Sequence, residues 1–97
     1  MVNPWEEYVG EYVSIRLVNY HLTGFVKSCE EDFLGNCSAV VDDIRLVDDT
    51  NADGPINEYK EGNGRKIPYS AVEAGVQRLV DIWPDYYAKR KKEAAKK

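Results

Sequence analysis

The sequence predicts a mainly β fold, a small, strongly bent, antiparallel five-stranded barrel with a short N-terminal helix and a basic C-terminal helix or tail. Three observations support this: apolar and polar residues alternate early in the chain, a glycine interrupts the next apolar segment, and polar, glycine-containing turns separate the later segments. The chain has 97 residues, the size of one domain. We expect a barrel domain over residues 1–84 and a basic tail over residues 85–97.

The N-terminal residues are typical of a helix start. Asn3 can cap the helix, Pro4 suits the first turn, and Glu6 lies three residues after the cap. Gly10 follows closely, so we expect this helix to be short.

Residue periodicity predicts the first two strands. Over residues 12–18, Val13 and Ile15 share one face with Leu17 and alternate with polar side chains, as in a half-buried strand. After a short turn, in which we place His21 at the surface, residues 22–29 form a second strand. It contains Gly24, which indicates a bend or a close backbone approach, as closing a small barrel requires.

Two further strands lie on either side of a long polar segment. Residues 37–47 form the third strand, with an interruption or turn at Asp42 and Asp43. Residues 48–64 are rich in Asp, Asn and Gly and predict a loop, one able to extend a hairpin. Residues 65–69 then form the fourth strand.

The segment 70–83 fits two structures. Ser70 and Glu73 match a capping box, and apolar residues follow at helical spacing up to Trp83. A barrel, however, needs a closing strand. We favour a tight turn at residues 70–72 followed by a strand, with Pro84 ending the element.

Charge is unevenly distributed along the chain. Residues 1–85 carry seven Lys and Arg against sixteen Asp and Glu, whereas residues 86–97 carry six against one. The acidic body argues against binding phosphate backbones over the whole surface, whereas the basic tail suits such binding locally.

Composition favours a non-catalytic cytoplasmic protein. No apolar run approaches the roughly 18 residues of a membrane helix, and the acidic N-terminus is unlike a signal peptide. We expect Cys29 and Cys37 to be free, buried thiols roughly opposite each other on neighbouring strands. With the lone His21 they make no recognised zinc set, so we predict no metal and no cofactor. The sequence also lacks a Ser–His–Asp order and a phosphate-cradling glycine loop, so we expect no enzyme.

Two short motifs resemble those of the Sm/LSm family, and the resemblance extends over roughly residues 3–76. In the first motif, Asp32 precedes Asn36 by four residues, and an apolar strand ending in two acids follows. The second keeps its ends, Ile67 and Val72, but lacks the Arg-Gly centre of the family. The matching segments are residues 24–28, 32–36 and 39–43 for the first motif and 67–72 for the second. Within that family, the chain most resembles small acidic Sm-like proteins of marine cyanophages.

The resemblance implies a homo-oligomeric ring of five to seven subunits, built by head-to-tail pairing of open strand edges. It also implies that single-stranded RNA, in preference to DNA, binds at the loop between the second and third strands. There a base would stack on Phe33 or Leu34 and bond Asn36, which Asp32 supports. Where the family has an arginine this chain has Pro68, so the substitutes are Arg65, Lys66 and Tyr69. The basic tail adds phosphate contacts by its charge alone: Lys89, Arg90, Lys91 and Lys92.

Each of these residues also has a plain structural interpretation. Asn36 fits a turn, Phe33 and Leu34 fit a core or a subunit interface, and the lysine-rich tail fits a solubilising end. The rival functional hypothesis is a barrel used only for protein–protein assembly, as a phage scaffold or adaptor. The acidic body and the missing Arg-Gly centre favour that rival.

Overall fold

A computed structural model describes residues 3–96. Met1, Val2 and Lys97, which the predicted domain and tail boundaries include, lie outside the described residues. A single 3₁₀ turn, Glu6–Tyr8, precedes six strands and two C-terminal helices. The strands are β1 (Tyr12–Leu17), β2 (His21–Glu31), β3 (Cys37–Asn51), β4 (Gly54–Gly62), β5 (Arg65–Pro68) and β6 (Val72–Arg78), and the helices are α1 (Leu79–Ile82) and α2 (Pro84–Ala95).

The strands form one antiparallel sheet in the order β4-β3-β2-β1-β6. On the side of β3 away from β2, β5 pairs with residues 38–41 and β4 pairs with residues 44–51. Because β4 and β5 follow one another along the same side of β3, the sheet is five strands wide. Register shifts along β2 and β3 bend these long strands, and the sheet curls into a half-barrel. The predicted mainly β, strongly bent sheet is confirmed.

Gly24 lies where β2 and β3 approach closely. A Cβ atom at this position would lie 2.5 Å from Val41 Cγ1 and 3.1 Å from the Asp42 carbonyl oxygen. The register between β2 and β3 shifts at this point, between Thr23 and Phe25, and Asp43 adopts a positive φ of 51°. The predicted role of Gly24 as a close-approach residue is confirmed.

The concave face of the sheet holds the main core. Its buried residues are Trp5, Val13, Ile15, Leu22, Val26, Ala39, Val41, Ile44 and Ile67. Trp5 comes from the N-terminal segment, which forms only one 3₁₀ turn. The turn does not continue as a helix because the Gly10 N–H already donates to the Val26 carbonyl, and β1 begins two residues later. The prediction of an N-terminal helix is therefore corrected, since the α-helices lie at the C-terminus.

A second core lies on the opposite face of β1 and β2. Tyr12 packs there with Leu79, Trp83 and Tyr86 of the C-terminal helices. The segment before them forms the 3₁₀ turn Tyr69–Ala71 and then β6, so the favoured turn and strand are confirmed up to Arg78, whereas residues 79–82 form the helix α1 and do not continue the strand to Pro84. The basic C-terminus is a packed helix, and no helix of the described part of the chain is long and apolar enough to cross a membrane.

Two predictions about titratable residues change. His21 is the first residue of β2 and only 9% exposed, and its Nε2 lies 2.5 Å from Ser14 Oγ, so its surface placement was wrong. The ring of His21 packs against that of Trp83, with centroids 6.1 Å apart and an interplanar angle of 42°. Cys29 and Cys37 are free, as expected, and half-buried. Cys29 lies opposite Ala39, so the two thiols are diagonal neighbours.

Candidate nucleic-acid interface

The turn between β2 and β3, residues 32–36, is held together by its own hydrogen bonds. Asp32 Oδ1 accepts from the backbone N–H groups of Leu34 and Asn36, both at 2.9 Å, and Oδ2 accepts from Asn36 Nδ2 at 3.2 Å. The Gly35 N–H donates to the Asp32 carbonyl at 3.0 Å. The predicted support of Asn36 by Asp32 is present in this geometry.

These bonds also set the protonation state of the turn. Hydrogen bonds from Asn36, led by its backbone N–H, and from the Leu34 N–H hold the pKa of Asp32 below its usual value. Asp32 is therefore a carboxylate at neutral pH, and each of its oxygens accepts at least one hydrogen bond. The side-chain hydrogen bonds of Asp32 therefore all stay within the turn.

The tip of this turn exposes two apolar side chains. Phe33 is 95% exposed and Leu34 is 72% exposed. Exposure of this extent at the end of a braced hairpin excludes their interpretation as core residues of the single chain. Phe33 has the aromatic face that a base can stack on, and Asn36 has the amide that can bond a base edge.

Tyr69 lies next to this turn. Pro68 of β5 pairs with Ser38, and Cys37 follows the turn directly, so the residue after β5 is beside the base of the turn. The Tyr69 ring packs edge-on against the buried Trp5, with centroids 5.5 Å apart, and 42% of Tyr69 is exposed. One predicted aromatic partner is therefore close to the turn and partly open.

The two predicted cations of β5 are already paired. The Arg65 guanidinium bonds Glu61 and the Tyr20 hydroxyl, at the far end of β5, about 10 Å along the strand from Pro68. Lys66 Nζ lies 2.9 Å from Glu30. The structure thus places Lys66 near the turn and Arg65 away from it, each with its charge compensated.

Helix α2 separates the predicted basic residues into two groups. Lys89, Lys91 and Lys92 are exposed, whereas Arg90 is fully buried. We therefore remove Arg90 from the candidate set, because a side chain without solvent access cannot contact a phosphate in this conformation. The sequence run of four basic residues did not distinguish Arg90 from its neighbours.

Arg90 belongs to a buried polar network that the sequence interpretation missed. Its Nη1 donates to Thr23 Oγ1 at 2.6 Å and to the Tyr86 hydroxyl at 2.8 Å, and its Nη2 donates to the Asp43 carbonyl. Its guanidinium also lies 5.1 Å from the Tyr12 ring centroid. The four-residue spacing of Tyr86 and Arg90 was the available signal, since it puts both on one helix face.

A second buried arginine strengthens this attachment of α2. Arg45 Nη2 lies 2.8 Å from Glu93 of α2, and its Nη1 lies 3.4 Å from Glu58 of β4. Glu93 is the single acidic residue of the segment 86–97. Its carboxylate pairs with Arg45, and no ion pair to Lys89, Lys91 or Lys92 is found among residues 3–96.

Within residues 3–96, no group of three or more His, Cys, Asp or Glu side chains is arranged to hold a metal ion. Comparisons with models of known protein families, with curated proteins and with solved structures find no match to this chain. Functional inference therefore starts from the turn 32–36, its neighbours and the open edges of the sheet.

Proposed function

We propose that this protein is an Sm-like, ring-forming barrel that binds single-stranded nucleic acid, RNA in preference to DNA, without catalysing a reaction. The observation that supports this most strongly is the turn 32–36, where a self-braced backbone presents the nearly fully exposed Phe33 beside the amide of Asn36. Exposing a large aromatic ring on a rigid tip is unfavourable in water unless something covers it. A stacked base is a suitable cover.

The two edges of the sheet support self-association. Within the described residues, β6 pairs only with β1 at one edge, and β4 and β5 pair only with β3 at the other. The 3₁₀ turn Tyr69–Ala71 joins β5 to β6 without pairing them, which leaves the curled sheet open. Exposed edges favour pairing with another strand, and two different edges on one molecule pair head to tail. A ring of five to seven copies would place several 32–36 turns together.

Oligonucleotide titrations test the binding site. We expect the variant carrying Phe33→Ala and Asn36→Ala to bind a short oligo-U or oligo-A strand at least about tenfold more weakly than wild type, because stacking contributes roughly 1–3 kcal/mol per base. The matched control is Val18→Ala, which shortens another apolar side chain that is 72% exposed but lies between β1 and β2, neither of which is an edge strand of the sheet. Unchanged affinity in the double variant would show that the turn is not the site.

Light scattering of the purified full chain tests the ring separately. We expect a mass of five to seven subunits at micromolar concentration. A monomer under these conditions would remove the ring from the proposal and, with it, the multiplication of weak contacts across subunits. It would not by itself exclude binding of a strand to one turn.

A rival function is supported by a specific observation. Arg65 and Lys66 are ion-paired and Arg90 is buried, so fewer free cations surround the turn than the sequence predicts. This favours a protein–protein assembly or adaptor barrel, phage-related, without nucleic-acid binding. A salt titration distinguishes the two, because the adaptor predicts no oligonucleotide binding even at low salt, where phosphate contacts are strongest.

A further inference from the structure

A groove of about 380 Å³ lies between the bend of β2 and β3 and the last turn of α2. The side chains that line it are Tyr12, Phe25, Asp42, Asp43, Lys91 and Ala94. None of them belongs to the turn 32–36 or to β5. The volume falls at the lower end of the roughly 300–1,000 Å³ typical of ligand pockets.

Two aromatic rings form a fixed wall of this groove. The Tyr12 and Phe25 ring centroids are 5.3 Å apart with an interplanar angle of 58°. The Tyr12 hydroxyl donates to Asp43 Oδ2 at 2.9 Å, which holds its ring in place, and Phe25 is half-buried. Ala94 has only a methyl group and leaves the groove open on the helix side. Such a wall suits a flat heterocycle, which can stack on it.

The charged groups of the groove differ in what they can still bind. Asp43 is compensated by Arg90, 3.6 Å away, and by Tyr12. Asp42 Oδ1 accepts from the Gly64 N–H at 2.8 Å, whereas its Oδ2 accepts no hydrogen bond from the described residues. Lys91 is exposed and has no ion-pair partner among residues 3–96, and its Nζ lies 5.7 Å from the ring centroid of Tyr87, a residue outside the groove. The surface of the groove is thus mainly apolar, and two of the residues that line it, Asp42 and Lys91, have no ion-pair partner among the described residues.

We propose that this groove binds a planar base carrying an amino group and a phosphate, either as a free nucleotide or as one nucleotide of a single strand. The base stacks on Phe25, the Asp42 carboxylate accepts from the amino group, and the Lys91 ammonium binds the phosphate. Guanine, adenine and cytosine have the required amino group, and uracil does not. The inference goes beyond the proposed function, since it needs neither the turn 32–36 nor a ring.

Filling the groove from its helix side gives a direct test. We expect Ala94→Phe to lower the affinity for GMP about tenfold or more, because its ring takes the place of the base. The matched control is Ala95→Phe, one residue along the same helix, exposed and outside the groove. Calorimetry of both variants with GMP, CMP and UMP should also show UMP as the weakest ligand of wild type.

Lys91→Ala tests the phosphate contact. We expect it to weaken binding of GMP and to leave binding of guanosine unchanged, because guanosine has no phosphate. The proposal is overturned if Ala94→Phe and Ala95→Phe bind GMP equally well, or if wild type binds no GMP at millimolar concentration.

Oligonucleotide binding, measured in variants that also carry Phe33→Ala, distinguishes a free nucleotide from one nucleotide of a strand. If Ala94→Phe further weakens binding of a guanine-containing oligonucleotide, the groove holds one nucleotide of a strand. If strand affinity is unchanged while GMP affinity falls, the ligand is a free nucleotide. Failure of the 32–36 site affects strand binding alone and leaves the GMP result intact, so the two proposals fail independently.

Discussion

The turn 32–36 and the helix α2 are the two regions in which the sequence predicts most of the nucleic-acid contacts. They differ in the exposure of their side chains and in the hydrogen bonds that hold them. The turn exposes every side chain and is held by hydrogen bonds among its own atoms. The helix buries Tyr86 and Arg90 and is held by bonds to the sheet. The side chains of the turn are thus open to a ligand, whereas Tyr86 and Arg90 attach the helix to the sheet.

The comparison shows that a run of basic residues in a sequence does not reveal which of their side chains are exposed and which are buried. Arg90 stands between Lys89 and Lys91 in the sequence, yet it is the one that enters the protein, because a helix turns neighbouring side chains by about 100°. A buried guanidinium needs several hydrogen-bond acceptors, and the Asp43 region supplies them at the sheet bend. The exposed lysines remain available to bind phosphates.

Replacing Arg90 should have the largest effect on stability. We expect Arg90→Met to lower the free energy of unfolding by about 3 kcal/mol, because it leaves the buried acceptors of Thr23 and Asp43 without their donor. Urea unfolding followed by circular dichroism measures this. The control Lys92→Met changes an exposed position of the same helix and should remain within about 0.5 kcal/mol of wild type. Similar values for both variants would contradict the attachment of α2 through Arg90.

Acidification should weaken the contact between the helices and the sheet through His21. Burial, with a smaller contribution from Arg16, lowers the pKa of His21 to about 4 from an ordinary 6.5. A group whose pKa falls on folding binds its proton more readily when unfolded, so stability is complete above pH 6.5 and is lost as the pH falls towards 4.

We therefore expect the free energy of unfolding to be about 2 kcal/mol lower at pH 5 than at pH 8. His21→Gln should remove most of this difference between pH 5 and pH 6.5, where carboxylates are still ionised. An equal pH dependence in that variant would assign the effect to other groups.

Much of the sheet could be predicted from the sequence, because alternation and glycine placement are local signals. The first strand, the bend at Gly24 and the strand after Ser70 all follow from neighbouring residues. The docking of α2 could not be predicted in this way, because its contacts join residues far apart in the chain, such as Arg90 and Thr23. For the same reason His21, covered by Trp83, looked like a turn residue.

In the candidate site, the bonding of Asp32 to Asn36 followed from the motif, because it is local. No local sequence pattern predicts the ion pairs of Arg65 and Lys66 or the groove beside Phe25, because these features depend on how the strands and the helix pack.

Changes in the turn should have the smallest effect on stability. We expect Asp32→Ala to speed hydrogen exchange of the Leu34 and Asn36 amides, whose acceptor it removes, while global unfolding remains close to that of wild type. Because hydrogen bonding lowers the pKa of Asp32, the wild-type turn should persist as the pH falls past the ordinary carboxylate value and open only below it. Hydrogen exchange measured by NMR checks the faster exchange in Asp32→Ala and the pH at which the wild-type turn opens, with Glu31→Ala as the control. A large loss of global stability in Asp32→Ala would contradict the independence of the turn.

Photocrosslinking of an oligonucleotide containing 4-thiouridine, followed by mass spectrometry of the peptides, compares the turn and the helix in one measurement. The proposed function predicts that the main crosslinked peptide contains Phe33 and Asn36 and that Phe33→Ala strongly reduces it. Crosslinks confined to the peptide carrying Lys89, Lys91 and Lys92, unchanged by Phe33→Ala, would show that the strand is held by the charge of the helix and would contradict the site at the turn.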